Sequence, residues 1–158
     1  MKIKLIIFCL FLVFNTSLRA EEKQIDITKE KEKVIARIQE AKAFIEKNGK
    51  EKAIIHFRKN ADDIVIGDYK GVFFVSPLHP EQIGKNQYNY RDPSGALVVQ
   101  EEINKAKAGG GWLKGRLRKN SLTGIYLCRK IYVLPVAGNY FIGSWYHYAP
   151  NKQGVCLI

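Results

Sequence analysis

Residues 96–120 read ALVVQEEINKAKAGGGWLKGRLRKN, a stretch in which an apolar and charged segment meets three glycines, a tryptophan and a run of alternating cations. Its first part has the composition of a helix of two or three turns ended by glycine, and its second part alternates as a strand near Trp112–Lys119 does. A phosphate-binding loop would need Gly, four residues, then Gly-Lys-Ser or Gly-Lys-Thr; Gly110 and Gly115 have the gap, but Arg116 and Leu117 follow. A dinucleotide fingerprint would need a third glycine where Lys114 stands, and a strand rather than a helix in front. The glycines therefore read as a helix stop and a tight entry into a strand, where positive φ is allowed.

On the C-terminal side, two further strands are expected near Ile125–Leu134 and Tyr140–Tyr148, joined by the turns NSLTG and VAGN. On the N-terminal side, DDIVIGDYKGVFFVSP reads as strands Ile64–Gly67 and Val72–Ser76, and a loop rich in Pro, Asn, Asp and Gly runs from Pro77 to Gly95. From Ile27 to Lys47 the apolar residues Val34, Ile38, Ala41 and Ile45 recur at helical spacing, which predicts one long amphipathic helix closed by Asn48-Gly49. KEKAIIHFRKN continues as a short second helix with Ala53, Ile54 and Phe57 on its apolar side. No repeat or second domain interrupts this order.

The chain opens MKIKLIIFCLFLVFNTSLRAEE, two lysines ahead of an apolar run from Leu5 to Val13, which is the layout of a signal peptide over residues 1–20. The run is about half of the roughly 20 apolar residues that a membrane-spanning helix needs, so cleavage after Ala20 is expected rather than anchoring. Removing residues 1–20 takes away Lys2, Lys4 and Arg19 and no acid, so the formal charge falls from +11 to +8 and the length from 158 to 138 residues. A mature chain of that length makes one domain with a real core, exported to the periplasm or beyond, and not membrane-spanning. Nucleic acid is a poor partner for an exported protein despite the charge. Cys128 and Cys156 remain after cleavage; in an oxidising compartment they either pair or stand as one buried thiol and one tail thiol.

The order of features resembles a known family. AIIHF in the short helix, SPLHPEQIGKN, RDPSG, EEINKAKAGGGW, RKIYV and a last strand ending GSWYHY are together similar to the single Cache domain, an extracytoplasmic small-molecule sensor related to the PAS fold. The resemblance implies an α+β architecture over residues 21–148: a five-stranded antiparallel sheet with the long helix packed on one face and a small ligand pocket on the other. Residues 149–158 are then a tail. Three positions differ from the family pattern: Ser76-Pro77 replaces a His-Pro pair, with His79 close by; Gly115 and Leu117 replace aromatics; and Ser144 replaces a glycine.

Strand alternation divides IYLCRKIYVL into Ile125, Leu127, Arg129, Ile131 and Val133 on one face and Tyr126, Cys128, Lys130, Tyr132 and Leu134 on the other. The mostly aliphatic set suits the helix-packed face and the second set a polar-lined pocket. The same division separates Leu113 and Leu117 from Trp112, Lys114, Arg116 and Arg118. Trp112, Arg116, Lys130 and Tyr132 are thus the expected ligand-binding residues, with Tyr146 near the end of the last strand. A cation with aromatic neighbours suits a short carboxylic acid, the ligand class that the resemblance also implies. The competing assignments are core aromatics for Trp112 and Tyr132 and surface positions for Arg116 and Lys130.

Chemistry beyond binding has little support. His56 reads as a packing residue, and His79 and His147 are isolated from cysteines and clustered acids, so no metal or other cofactor is expected. No Ser-His-Asp order with a nucleophile elbow occurs, and Cys128 has no evident base, so the protein is expected not to be an enzyme. Family members are commonly joined to a membrane helix and signalling module; with Ile158 about ten residues past the last strand, this chain is expected to act alone or through a separate membrane signalling protein. The competing function is a basic interaction module, its surface built on Lys114, Arg116, Arg118 and Lys119, that binds an acidic protein or a polyanionic envelope polymer.

Overall fold

A computed structural model describes residues 26–60, 62–120 and 123–157. The expected signal peptide, residues 1–20, lies outside the described residues. Helix α1 spans Ile27–Asn48. The Asp26 carboxylate caps it by accepting the amides of Thr28 and Lys29, and Gly49, at φ 81°, ends it with its amide on the Ile45 carbonyl. Val34, Ile38, Ala41 and Ile45 are its buried stripe, the spacing expected from the sequence. Helix α2, Lys50–Asn60, follows at once and buries Ala53 and Phe57.

Strands β1 (Ile64–Asp68) and β2 (Phe73–Val75) form the first hairpin, and the long loop leads to helix α3, Val98–Lys107. Then come β3 (Gly111–Trp112), β4 (Arg116–Lys119), β5 (Tyr126–Val136) and β6 (Tyr140–Tyr148). The antiparallel sheet runs β2-β1-β6-β5-β3, with β4 also on β5. The last two strands meet through a turn in which Gly138 and Asn139 take φ of 99° and 59°.

The glycine run does what its position requires. A Cβ on Gly110, which sits at φ 95°, would come within 2.6 Å of the Val133 carbonyl oxygen and 2.7 Å of the Leu134 side chain. Only glycine lets the chain leave α3 and lie against β5.

The expected third strand, Trp112–Lys119, is divided. Trp112 lies opposite Tyr132 and Arg116 opposite Arg129, so four steps on one strand match three on its partner. One extra residue is accommodated between β3 and β4. Because side chains alternate faces with a period of two, this bulge puts Arg116 on the opposite face from Trp112.

Both faces of the sheet are covered. Ile38, Ala41 and Ile45 of α1 and Phe57 of α2 pack on Ile64, Ile66, Tyr140 and Ile142. At the N-terminal end of α1, Val34 and Ile27 meet Cys128, Trp112, Tyr132, Tyr146 and Tyr148. On the other face α3 contributes Val98, Val99, Ile103 and Ala106, packed against Val65, Phe73, Ile131, Val133, Phe141 and Trp145. The alternation in β5 is therefore as expected, but the two faces are exchanged: the aliphatic set faces α3, and Cys128, Tyr132 and Leu134 face the long helix. Arg37 of α1 reaches across to donate to the Ser144 hydroxyl at 2.9 Å. A disulfide joins Cys128 to Cys156 and ties the tail to the body.

Candidate functional site

The site is a cavity of about 160 Å³ between the α3-covered face of the sheet and the loop after β2. Its walls are apolar, from Val65, Phe73, Val98, Val99, Ile131 and Trp145, and its polar end holds Glu102, Arg118 and Arg129, with His79, Tyr90 and the exposed Lys119 also lining it. A void of this order admits a small organic molecule: an engineered apolar cavity of about 150 Å³ takes up benzene.

The polar end is assembled from three elements. Arg129 comes from the middle of β5, partly buried, with its guanidinium carbon 5.6 Å from the centre of the Trp145 ring. Arg116 and Arg118 come from β4, and the bulge is what brings them to this face. Glu102 comes from the buried stripe of α3 and is only 5% exposed.

The loop motif RDPSG supplies the support. Asp92, its side chain 2% exposed, accepts the amides of Ser94 and Ala96 at 2.9 and 3.0 Å and the Ser94 hydroxyl. Burial alone would raise this carboxyl, but the hydrogen bonds from Ser94 and Ala96 and the charge of Arg118 outweigh it and hold Asp92 below the usual carboxylate range. Asp92 stands 4.0 Å from Arg118 and 3.9 Å from Arg116. Arg116 is engaged further by Glu101, whose two carboxylate oxygens both accept from its Nη2 at 2.7 and 2.8 Å.

Two charges remain without such partners. Among the described residues the side chain of neither Arg129 nor Glu102 makes a hydrogen bond or close ion pair, although each feels the other's field and that of Arg118. Burial, reinforced by Arg118, pulls Arg129 down from 12.5 to about 10, so it stays cationic at neutral pH. Burial likewise pushes the Glu102 carboxyl up, against the pull of Arg129 and Arg118. His79 and His147 are both held below the ordinary imidazole value, chiefly by burial and then by Arg129, which keeps them neutral.

The residues expected to bind a ligand are divided by this arrangement. Trp112, Tyr132 and Tyr146 do come together, with the Trp112 ring centre 5.2 Å from that of Tyr132 and 5.6 Å from that of Tyr146, but under α1 on the far side of the sheet from the cavity. Lys130 lies opposite Tyr146 on the same face, near Lys31, and burial and then Lys31 lower its pKa. Arg116 alone is on the cavity side, where it holds Glu101 and backs Asp92. Within the cationic cluster, Arg116 and Arg118 turn to carboxylates while Lys114 and Lys119 are exposed.

The sequence carried two signals for the residues missed. Arg129 is the one charge in an otherwise aliphatic alternating set, and Glu102 stands three residues from Val99 and four from Ala106, inside the helix's apolar stripe.

Comparison with known proteins agrees with the architecture. Solved structures similar to this one include a methyl-accepting chemotaxis protein from Vibrio parahaemolyticus RIMD 2210633, with 17% identity, 77% of this chain and 90% of that chain covered, and a TM-score of 0.65. The periplasmic sensor domain of a chemotaxis protein is similar at 19% identity, over 76% of this chain and 93% of that chain, with a TM-score of 0.62. A Cache chemosensory domain described for its recognition of carboxylic acid is similar at 19% identity, over 76% of this chain and 94% of that chain, with a TM-score of 0.59. At these identities the likeness is one of fold. Among curated proteins no match is found. The Single Cache domain 2 family matches residues 16–123. With that match over more than half of its length, and an antiparallel sheet that places one helix layer opposite a small cavity, the chain belongs to the single Cache domain family.

Proposed function

We propose that this protein is an extracytoplasmic sensor-type domain that binds a short carboxylic acid in the cavity beneath α3 and does not transform it. The single observation carrying the ligand class is Arg129, a cation with no hydrogen-bonding or ion-pair partner among the described residues, at the polar end of an apolar-walled cavity. A guanidinium in that position offers parallel N–H donors to a carboxylate, and the surrounding Val, Phe and Trp side chains take up a short apolar tail. Arg118 adds a second donor set, held in place by Asp92. The similar Cache chemosensory domain described for carboxylic acid recognition gives the reading a precedent on the same fold.

The family's domains are extracytoplasmic sensors, and among the described residues no helix is long and apolar enough to cross a membrane. Export through the N-terminal signal is part of the proposal.

A thermal-shift screen of short carboxylic acids tests it. A ligand that binds only the folded state, at about 100 times its dissociation constant, adds about 2.7 kcal/mol and raises the melting temperature. Arg129→Met, which keeps the stem and removes the charge, should abolish that rise. If no acid stabilises the wild type, or if Arg129→Met responds as the wild type does, the carboxylate reading is wrong.

A further inference from the structure

The Arg129 guanidinium accounts for a ligand carboxylate, but it leaves Glu102 unexplained. Glu102 is 5% exposed, lines the same cavity, and among the described residues has neither a hydrogen-bond donor nor a close cation of its own. Confining a carboxylate this far from bulk water without a partner is costly even where its oxygens keep some access to the cavity, and an apolar residue at this point of the α3 stripe would avoid that cost. The attraction of Arg118 and Arg129 offsets part of it, but an anion bound between those arginines would draw on the same field and set a second negative charge beside Glu102.

Behind the cavity lining Asp92 stands against Arg118 and Glu101 against Arg116, and within the lining Glu102 lies in the field of Arg129, so the acids and arginines around the polar end are equal in number before any ligand enters. Lys119 at the mouth is exposed to solvent, where its field is screened. His79, in contact with Glu81 at 3.3 Å, is kept neutral and adds no charge. A net-neutral site is a poor match for a bare anion and a good one for a zwitterion. The cavity's size confines both ligand groups to one small molecule.

Resting on the carboxylate reading above, we propose that the ligand is a small amino acid, its carboxylate held by Arg129 and its ammonium group by Glu102. The ammonium donates to the Glu102 carboxylate, so each unpartnered charge of the cavity gains an opposite charge. The side chain then lies against Val65, Phe73 and Trp145, which favours small apolar or hydroxylated residues over long charged ones.

Calorimetric titration with three matched pairs tests this: alanine against propionate, serine against 3-hydroxypropionate, and valine against 3-methylbutyrate. In at least one pair the amino acid should bind the wild type 10-fold or more tightly than its amine-free counterpart. Glu102→Gln should remove that preference without lowering the melting temperature of the free protein, and Arg129→Met should remove binding of both members. If in every pair the amine-free acid binds as tightly as the amino acid or more so, or if Glu102→Gln keeps the preference, the ammonium site is wrong while the carboxylate site stands. If none of the six compounds binds, the carboxylate reading falls and the ammonium site falls with it.

Discussion

Tyr146→Phe separates the two faces of the sheet in one experiment. The Tyr146 ring is buried beneath α1, 3% exposed, against Trp112 and Tyr148, and among the described residues its hydroxyl is the one side-chain polar atom that is fully sealed from solvent and has no hydrogen-bond partner. Burial pushes its pKa up, with Tyr148 adding to the shift, as befits a phenol far from solvent. A buried polar group with no partner forfeits about 1–3 kcal/mol of hydration. Removing only the oxygen keeps the ring contacts, so Tyr146→Phe should stabilise the fold by roughly 1 kcal/mol or more, which is about 3 °C in melting temperature for a domain of this size. Scanning calorimetry or a denaturant titration reads the change, and a carboxylic acid that shifts the wild type should shift the variant equally, because the ring is on the α1 face. A loss of 1 kcal/mol or more would mean that the hydroxyl is satisfied. A loss of ligand response with the fold intact would mean that the aromatic cluster, not the cavity under α3, holds the ligand.

Two further outcomes follow from the tail and the loop. The Cys128–Cys156 bond spans 28 positions, so the chain-entropy estimate gives it about 3–4 kcal/mol; reduction, or Cys156→Ser, should lower the melting temperature by roughly 10 °C, and unchanged melting under reductant would show that the bond is not formed in the exported protein. Asp92→Asn should cost about 1–3 kcal/mol at neutral pH by weakening the contacts with Ser94, Ala96 and Arg118. Asp92 is held below its ordinary pKa of 3.8, so its ionic contribution is fully present above that value and is lost as pH falls through the lower folded one. The stability gap between wild type and Asp92→Asn should therefore narrow below about pH 4, and a gap that stays constant down to pH 2 would argue against an ionised, paired Asp92.

Local physics in the sequence determined much of the molecule. The spacing of Val34, Ile38, Ala41 and Ile45 specifies α1 and its buried stripe, because a 3.6-residue period leaves no other face apolar. The three glycines after α3 specify a stop and a close approach, and the strand set with its turns reads directly from β-branched and aromatic runs. Alternation also says which side chains of β5 travel together. It does not say which layer covers them. In a sheet buried on one face only, the apolar set would be the core set; here helix α1 covers one face and α3 the other, so both sets are largely buried and composition does not tell them apart. The assignment of Tyr132 and Lys130 to the α1 side and of Arg129 to the cavity was decided by contacts between segments far apart in the chain. Arg116 shows the same limit at one residue's resolution: an extra residue between β3 and β4, visible only once the two are registered against β5, turns it to the face opposite Trp112, where it meets Glu101 and Asp92.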